Sequence, residues 1–414
     1  MKHILFGFLT LFIFGQTFVV QAQNDGDDEI FQLNTITTAV PFLVITPDSR
    51  SGGMGDVGAA TTPDANSFHW NTAKLIFSKQ SGEVSLSYTP WLRGLVDDIQ
   101  LSYLAGYKKI GTKHVFGGSL RYFSLGTINF TDQSGLPIVD FNPNEYEILG
   151  GYAFKLSDMT SVGINGKFIY SNLSGQIAAG TATSKPGIGG AADLSFSFVN
   201  PDIMLGSFKS QISAGATISN LGNKMAYSQA VERDFIPTNL RLGTALKMNF
   251  DSYNSLSAAI DFNKLLVPTL PIRDVNDNDI IISGKENDVG VIAGALQSFY
   301  DAPGQQDFDE NGDSFIVKNS RLVEELREIN IGFGLEYWYS DILAFRSGFF
   351  HESTVKGNRK YMTFGAGLKA YSFGLDLSYL VSVTNANPLA NTVRFSLSFR
   401  FGDNNGTKLG GDSE

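Results

Sequence analysis

The segment Asn391 to Phe401 reads NTVRFSLSFRF, with Val393, Phe395, Leu397, Phe399 and Phe401 on one parity and Thr392, Arg394, Ser396, Ser398 and Arg400 on the other. Side chains of a strand alternate between its two faces, so this segment carries one apolar face and one wet face. Similar alternation recurs from Glu83 onward. It predicts about fourteen strands, over 83–90, 98–108, 113–125, 144–155, 160–171, 188–199, 209–219, 238–250, 254–264, 329–339, 342–350, 360–371, 373–383 and 391–402. Apolar residues share a parity in Ile99, Leu101, Tyr103, Ala105 and Tyr107; in Leu240, Leu242, Leu246, Met248 and Phe250; in Ile331, Phe333, Leu335, Tyr337 and Tyr339; and in Phe373, Leu375, Leu377, Tyr379 and Val381. The charges Arg241, Glu336 and Asp376 sit on the opposite parity.

Alternation alone fits a soluble sandwich with its apolar face inward or a membrane barrel with that face toward lipid. The connections decide between them. Short turns (KIGT, LSDM, DSYN, YSD, AYS) follow strands two, four, eight, ten and twelve, with a somewhat longer one after strand six. Long connections, 91–97, 126–143, 172–187, 220–237, 265–328, 351–359 and 384–390, follow the odd strands. Outer-membrane barrels have this asymmetry, with short periplasmic turns and long extracellular loops, and their closure removes the exposed sheet edge. Many of the strands are about ten residues long, enough for a tilted strand to cross a bilayer. The expected fold class is therefore all-β: a transmembrane antiparallel barrel over 79–402 with both termini periplasmic, followed by a tail at 403–414.

The chain before the barrel reads differently. Lys2 and His3 precede an apolar run from Ile4 to Val20, and Val20-Gln21-Ala22 resembles a cleavage site, so 1–22 is expected to be a signal peptide rather than a membrane anchor. Residues 23–40 open acidic and polar, as a flexible lead-in would. Residues 41–78 are dense in Gly, Ala, Asp and Asn without sustained alternation. A compact irregular segment in this place suggests a hatch or plug inside the barrel, where protein and lumen water can satisfy non-helical backbone; the alternative is an external periplasmic linker.

Composition narrows the class further. There are no cysteines, so stability rests on burial and backbone pairing rather than disulfides. The 44 glycines, 33 phenylalanines and 15 tyrosines suit strands and aromatic girdles. A net charge of -10 without a basic stripe argues against nucleic acid as a partner. Trp91, Trp338, Tyr337, Tyr339, Phe349 and Phe350 lie toward strand ends, as a bilayer-interface belt would.

Candidate chemistry is sparse. In loop 265–328, helices are expected over 287–299 and 319–328. Between them Asp307, Asp309, Asn311 and Asp313 alternate, with Gly312 at a turn, like the front half of an EF-hand loop; Lys318 stands where the bidentate glutamate belongs. A structural Ca2+ in 307–318 and a merely solvated acidic loop are the two readings. His69, His114 and His351 are the histidines beyond the leader, and His351-Glu352-Ser353 raises a histidine-polarised serine, as in a lipid hydrolase; adjacency in sequence does not establish a triad. GGMGDVG follows no clear strand and precedes no lysine, which makes a phosphate cradle a weak reading. The expectation is a protein without enzymatic activity, catalytic residues or bound organic cofactor.

The segment SGGMGDVGAATTPDANS, with Gly52, Gly53 and Gly55, followed by Trp70 and Asn71-Thr72-Ala73, resembles the hatch of the FadL-like family of hydrophobic-compound transporters, with threonine in place of the family's proline. Over its whole length, including VPFLVITPDSRSGGMGDVG and WNTAKL, the chain looks more specifically like the PorV family, outer-membrane barrels of the type IX secretion system of Bacteroidetes. That resemblance implies a barrel in outer-membrane lipid that docks beside the translocon barrel, binds the C-terminal signal domains of secreted cargo proteins, and shuttles them to the surface attachment complex. It leaves a FadL-like channel for hydrophobic small molecules, and lipopolysaccharide O-deacylation, as other readings. Interfaces between folded proteins need on the order of 800 Å² per partner, which points to the long loops, above all 265–328, as the contact surface.

Overall fold

The computed structural model describes residues 33–91, 98–131, 134, 136–173, 178–179, 182–227, 233–274, 277, 279–308, 314–384 and 391–402. The expected signal peptide, residues 23–32 of the lead-in, the C-terminal tail, and Asp309, Asn311 and Asp313 lie outside the described residues.

Fourteen strands close an antiparallel barrel: β1 Gly82–Pro90, β2 Ile99–Ile110, β3 His114–Leu125, β4 Asn144–Lys155, β5 Thr160–Asn172, β6 Gly187–Leu205, β7 Phe208–Gly222, β8 Asn239–Asn249, β9 Asn254–Leu265, β10 Ile329–Tyr339, β11 Leu343–His351, β12 Lys360–Ala370, β13 Phe373–Ser382 and β14 Val393–Phe401. Each strand pairs with its sequence neighbours, and β1 pairs with β14 in the register Gly82↔Phe401 to Tyr88↔Phe395, which leaves no sheet edge. The sixth and seventh strands run further than their alternation predicts. A register shift between Asn200 and Ile203 interrupts the pattern, and the strands continue to a tight turn at Gly206 and Ser207. All six even-to-odd connections are therefore short, at one end of the barrel. No helix among the described residues is long and apolar enough to cross a membrane.

The parity of β14 settles which side is oily. Leu397 is 52% exposed on the outer wall, whereas Arg394 is 2% exposed and points into the lumen. Phe333 and Leu335 of β10 and Leu375 and Leu377 of β13 face outward likewise, and Glu336 and Asp376 face inward. Strand β2 departs from this rule. Its apolar set Leu101, Tyr103, Ala105 and Tyr107 is buried in the lumen, and Leu104 faces out. The cause is that the lumen contains its own apolar core: Phe68, Leu75 and Ile76 of the N-terminal segment pack on Tyr103, Ala105 and Tyr107, and Phe42 and Leu43 pack near Leu101 and Phe123. The expected aromatic belt is corrected in the same way. Tyr339 and Phe349 lie on the outer wall, but Trp91, Trp338 and Phe350 are buried. Lys369 lies 3.8 Å from the Trp338 ring, and Phe350 stacks on Tyr361.

The lead-in is also corrected in part. Asn34 donates its backbone N–H to Val355 and its side-chain amide to Glu324, and Ala39 donates to Phe235. These partners belong to three long connections. The chain at Leu33 thus lies at the long-loop end, whereas β14 ends at the short-turn end beside Gly82; the two ends themselves lie outside the described residues.

Candidate functional site

Residues 41–78 build a plug from short helical turns, Pro41–Val44, α1 Ser49–Gly52, α2 Ser67–Trp70 and Thr72–Phe77. Four-residue helices satisfy few of their own backbone groups, so the polar lumen wall supplies the remaining partners. Asp48 caps α1 by accepting from Ser51 N–H at 2.9 Å, and its other oxygen accepts from Trp70 Nε1 at 2.7 Å. Asp261 of β9 accepts from the N–H groups of Gly58 and Ala59, Glu83 of β1 from Ala65, Ser195 of β6 from Ala73, Thr363 of β12 from Gly55, and Ser396 of β14 from Ser49. In the other direction Arg121 of β3 donates to the carbonyls of Phe42 and Leu43, and Ser161 of β5 to that of Ala73. Lys109 of β2 reaches the carbonyls of Ile76 and Ser78.

A chain of alternating charge ties the plug to the wall. Arg50 bonds Asp64 at 2.8 Å and Glu336 through two nitrogens at 2.7 and 2.9 Å; Glu336 also accepts from Arg346 at 2.8 Å, which in turn bonds Asp376 at 2.7 Å. Bidentate guanidinium–carboxylate pairing fixes orientation as well as distance. Contacts with β4 (Phe68 beside Gly151), β7 (Ala59 beside Gly215), β8 (Arg241 to the His69 carbonyl and over the Trp70 ring), β11 (Gly55 against Gly348) and β13 (Gly53 beside Ser378) bring the strands touched to fourteen.

The hatch residues singled out by sequence all lie in this plug. Gly55 has φ +67, and a Cβ there would stand 2.5 Å from the Phe333 carbonyl, so only glycine fits. Gly52 leaves room for the Arg394 guanidinium, and Gly53 lies against Gly365. Trp70 is fully buried. Asn71 is extended, ends α2, caps the next turn by accepting from Ala73 N–H at 3.0 Å, and donates to the carbonyls of Ala59 and Phe196. The bend therefore forms with Thr72 in the proline position, whose hydroxyl donates to Asn165. Sequence reasoning missed the matching glycines of the wall. Gly332, Gly334 and Gly348 fall on the lumen parity of β10 and β11, where the Met54–Asp56 backbone presses on them.

Above the rim, the connection 266–328 folds into α3 Val291–Gln297 and α4 Ser320–Arg327, shorter than the helices predicted, with small two-stranded ladders. Glu328 accepts from Lys264, Thr269 and Lys356, and Glu324 from Asn34, Lys356 and the N–H of Gly304. Burial pushes the Asp301 carboxyl up to about 6, against bonds from Thr269 and Gln297 that lower it. Asp307 pairs in a ladder with Phe315; the remaining candidate positions for Ca2+, Asp309, Asn311 and Asp313, are outside the described residues. Glu352 is taken by Arg359, at 2.8 and 2.7 Å, and the Ser353 carbonyl closes a turn onto Lys356 and Asn358. His114 lies on the outer parity at the short-turn end, bonded to Tyr152.

Among solved structures the chain is similar to the Pseudomonas putida toluene transporter TodX (10% identity, 89% of this chain and 99% of that one, TM-score 0.47). It is similar also to the Ralstonia pickettii toluene transporter TbuX (13%, 86% and 98%, TM-score 0.46) and a Pseudomonas aeruginosa FadL homologue (11%, 90% and 100%, TM-score 0.42). No curated protein matches by sequence. The family model described as "Type IX secretion system protein PorV" matches residues 28–272, more than half of the chain, and so this outer-membrane barrel belongs to the PorV family of type IX secretion proteins.

Proposed function

We propose that this barrel is a cargo-binding component of the type IX secretion system. It holds the C-terminal signal domains of secreted proteins on its long-loop face beside the translocon barrel and carries them to the surface attachment complex. The observation that carries the reading is the plug: a lumen whose contents touch all fourteen strands offers no ready path, while a folded loop assembly stands on the rim with surface to spare. In this orientation the long loops are extracellular and the short turns periplasmic. The reading includes no catalytic step. Deleting the gene and assaying medium and cell surface tests it: signal-bearing cargo is expected to accumulate inside the cell, and unaltered delivery would reject the role.

A channel for hydrophobic small molecules is the second reading. Its support is a narrow cleft between the plug residues Met54, Ala60 and Thr61 and the wall at Gln211, Ala245 and Lys247. Loss of hydrocarbon uptake in the deletion strain, with cargo delivery intact, would favour it.

A further inference from the structure

The two loop helices are inside out. In α3 and the turn that follows it, Ile292, Leu296 and Tyr300 recur at four-residue spacing and are 61%, 63% and 59% exposed, while Gly294, Ser298 and Asp301 on the other side are buried. In α4, Leu322 and Leu326 are 65% and 60% exposed, and Glu324 and the C-cap residue Glu328 are buried. A water-facing helix buries its apolar stripe and exposes its carboxylates, so this arrangement is the reverse of the stable one for a free surface. The inversion is anchored rather than accidental. The buried acids are bonded to Lys264, Lys356 and the backbone of Gly304, the half-buried Glu325 accepts from the Ala302 N–H, and the small Gly294 packs on Pro268 and Phe235.

The charge of the loop that carries these apolar faces says what covers them. In 266–328 acidic side chains outnumber basic ones by more than two to one; Asp277 and Asp279 are exposed, while Glu286 pairs with Arg273 and Asp288 with Lys224. An acidic surface repels a second copy of itself and an anionic lipid leaflet, and it attracts a basic partner. An apolar centre inside a charged rim is also the anatomy of a protein-docking patch. Resting on the cargo-binding reading above, we propose that the outward faces of α3 and α4 form the docking surface for a folded protein domain whose own apolar patch is ringed by lysine and arginine, and that this domain is the cargo's signal domain.

The test uses the full-length barrel in nanodiscs, with the purified C-terminal signal domain of a secreted cargo protein as probe. Leu296→Ser with Leu326→Ser is expected to weaken binding by about tenfold or more. Asp277→Lys with Asp279→Lys is expected to weaken it and to flatten its dependence on salt. Heat-modifiable mobility on gels confirms the closed barrel in each variant. Because the chain lacks cysteine, Leu296→Cys carrying a photocrosslinker reports the occupant directly, and an adduct with the signal domain is the expected product. Wild-type binding that survives both double substitutions would overturn this surface and leave the cargo-binding role standing. Failure of the wild-type barrel to bind the domain would overturn both. Adducts confined to lipid, to a second barrel or to the chain's own N-terminal segment would overturn the assigned occupant.

Discussion

Glu336 engages two guanidinium groups at once, one from the plug and one from the wall, with a side chain that is 2% exposed. Removing one member of a buried ionic set leaves the others uncompensated, which costs roughly 3–5 kcal/mol. Arg50 and Arg346 retain Asp64 and Asp376, so Glu336→Ala is expected at the low end, about 3 kcal/mol. The measurement is the denaturant concentration at which the purified barrel loses its heat-modifiable mobility; an unchanged midpoint would show that the ionic chain does not stabilise the seated plug. The lumen position of Glu336 is legible in its sequence, because it interrupts Phe333, Leu335 and Tyr337 on the opposite parity. Its partner is not legible. Arg50 lies 286 positions away, and no local pattern specifies a pairing made across the width of a lumen.

At the scale of elements, the strands were readable wherever lipid and water lie on opposite faces. They misled where the lumen is itself apolar, as on β2, because a side chain packed on Phe68 has the same hydropathy as one in oil. Strand length was misread at β6, where the shift after Asn200 breaks the alternation that would have extended it. The loop helices were foreseen in place but their orientation was not: a four-residue apolar spacing says that a helix has a face, and says nothing about what the face meets. Asp301 makes the loop's packing pH-dependent. Its folded-state value near 6 lies above the ordinary 3.8, so its contribution to stability is full below about 3.8 and is lost as pH rises through 6. Between about pH 4 and pH 6 the loop is therefore expected to become more open to protease, and Asp301→Asn is expected to flatten that trend. A wild-type cleavage rate independent of pH across this interval would contradict the assignment.

For the whole molecule, the Gly- and Asn-rich composition of 41–78 revealed a plug, but the direction in which the chain threads it was hidden. Direction depends on which loops hold the first residues, and Asn34 and Ala39 are held by connections far away in sequence. Leu33 is 73% exposed at that end. A Leu33→Cys variant, in a chain otherwise free of cysteine, is expected to react with a membrane-impermeant maleimide on intact cells. Reaction only after permeabilisation would put the long-loop face in the periplasm and invert the proposed topology.

The seam between β1 and β14 has one more consequence. Both of its strands hold the plug, β1 through Glu83 to Ala65 and β14 through Ser396 to Ser49, while Arg394 lies packed against Gly52. The first and last strands to be synthesised thus meet around a segment that both of them grip. Sealing the cylinder and seating its stopper therefore reinforce each other, because each stroke of the seam brings together two grips on the same short piece of chain.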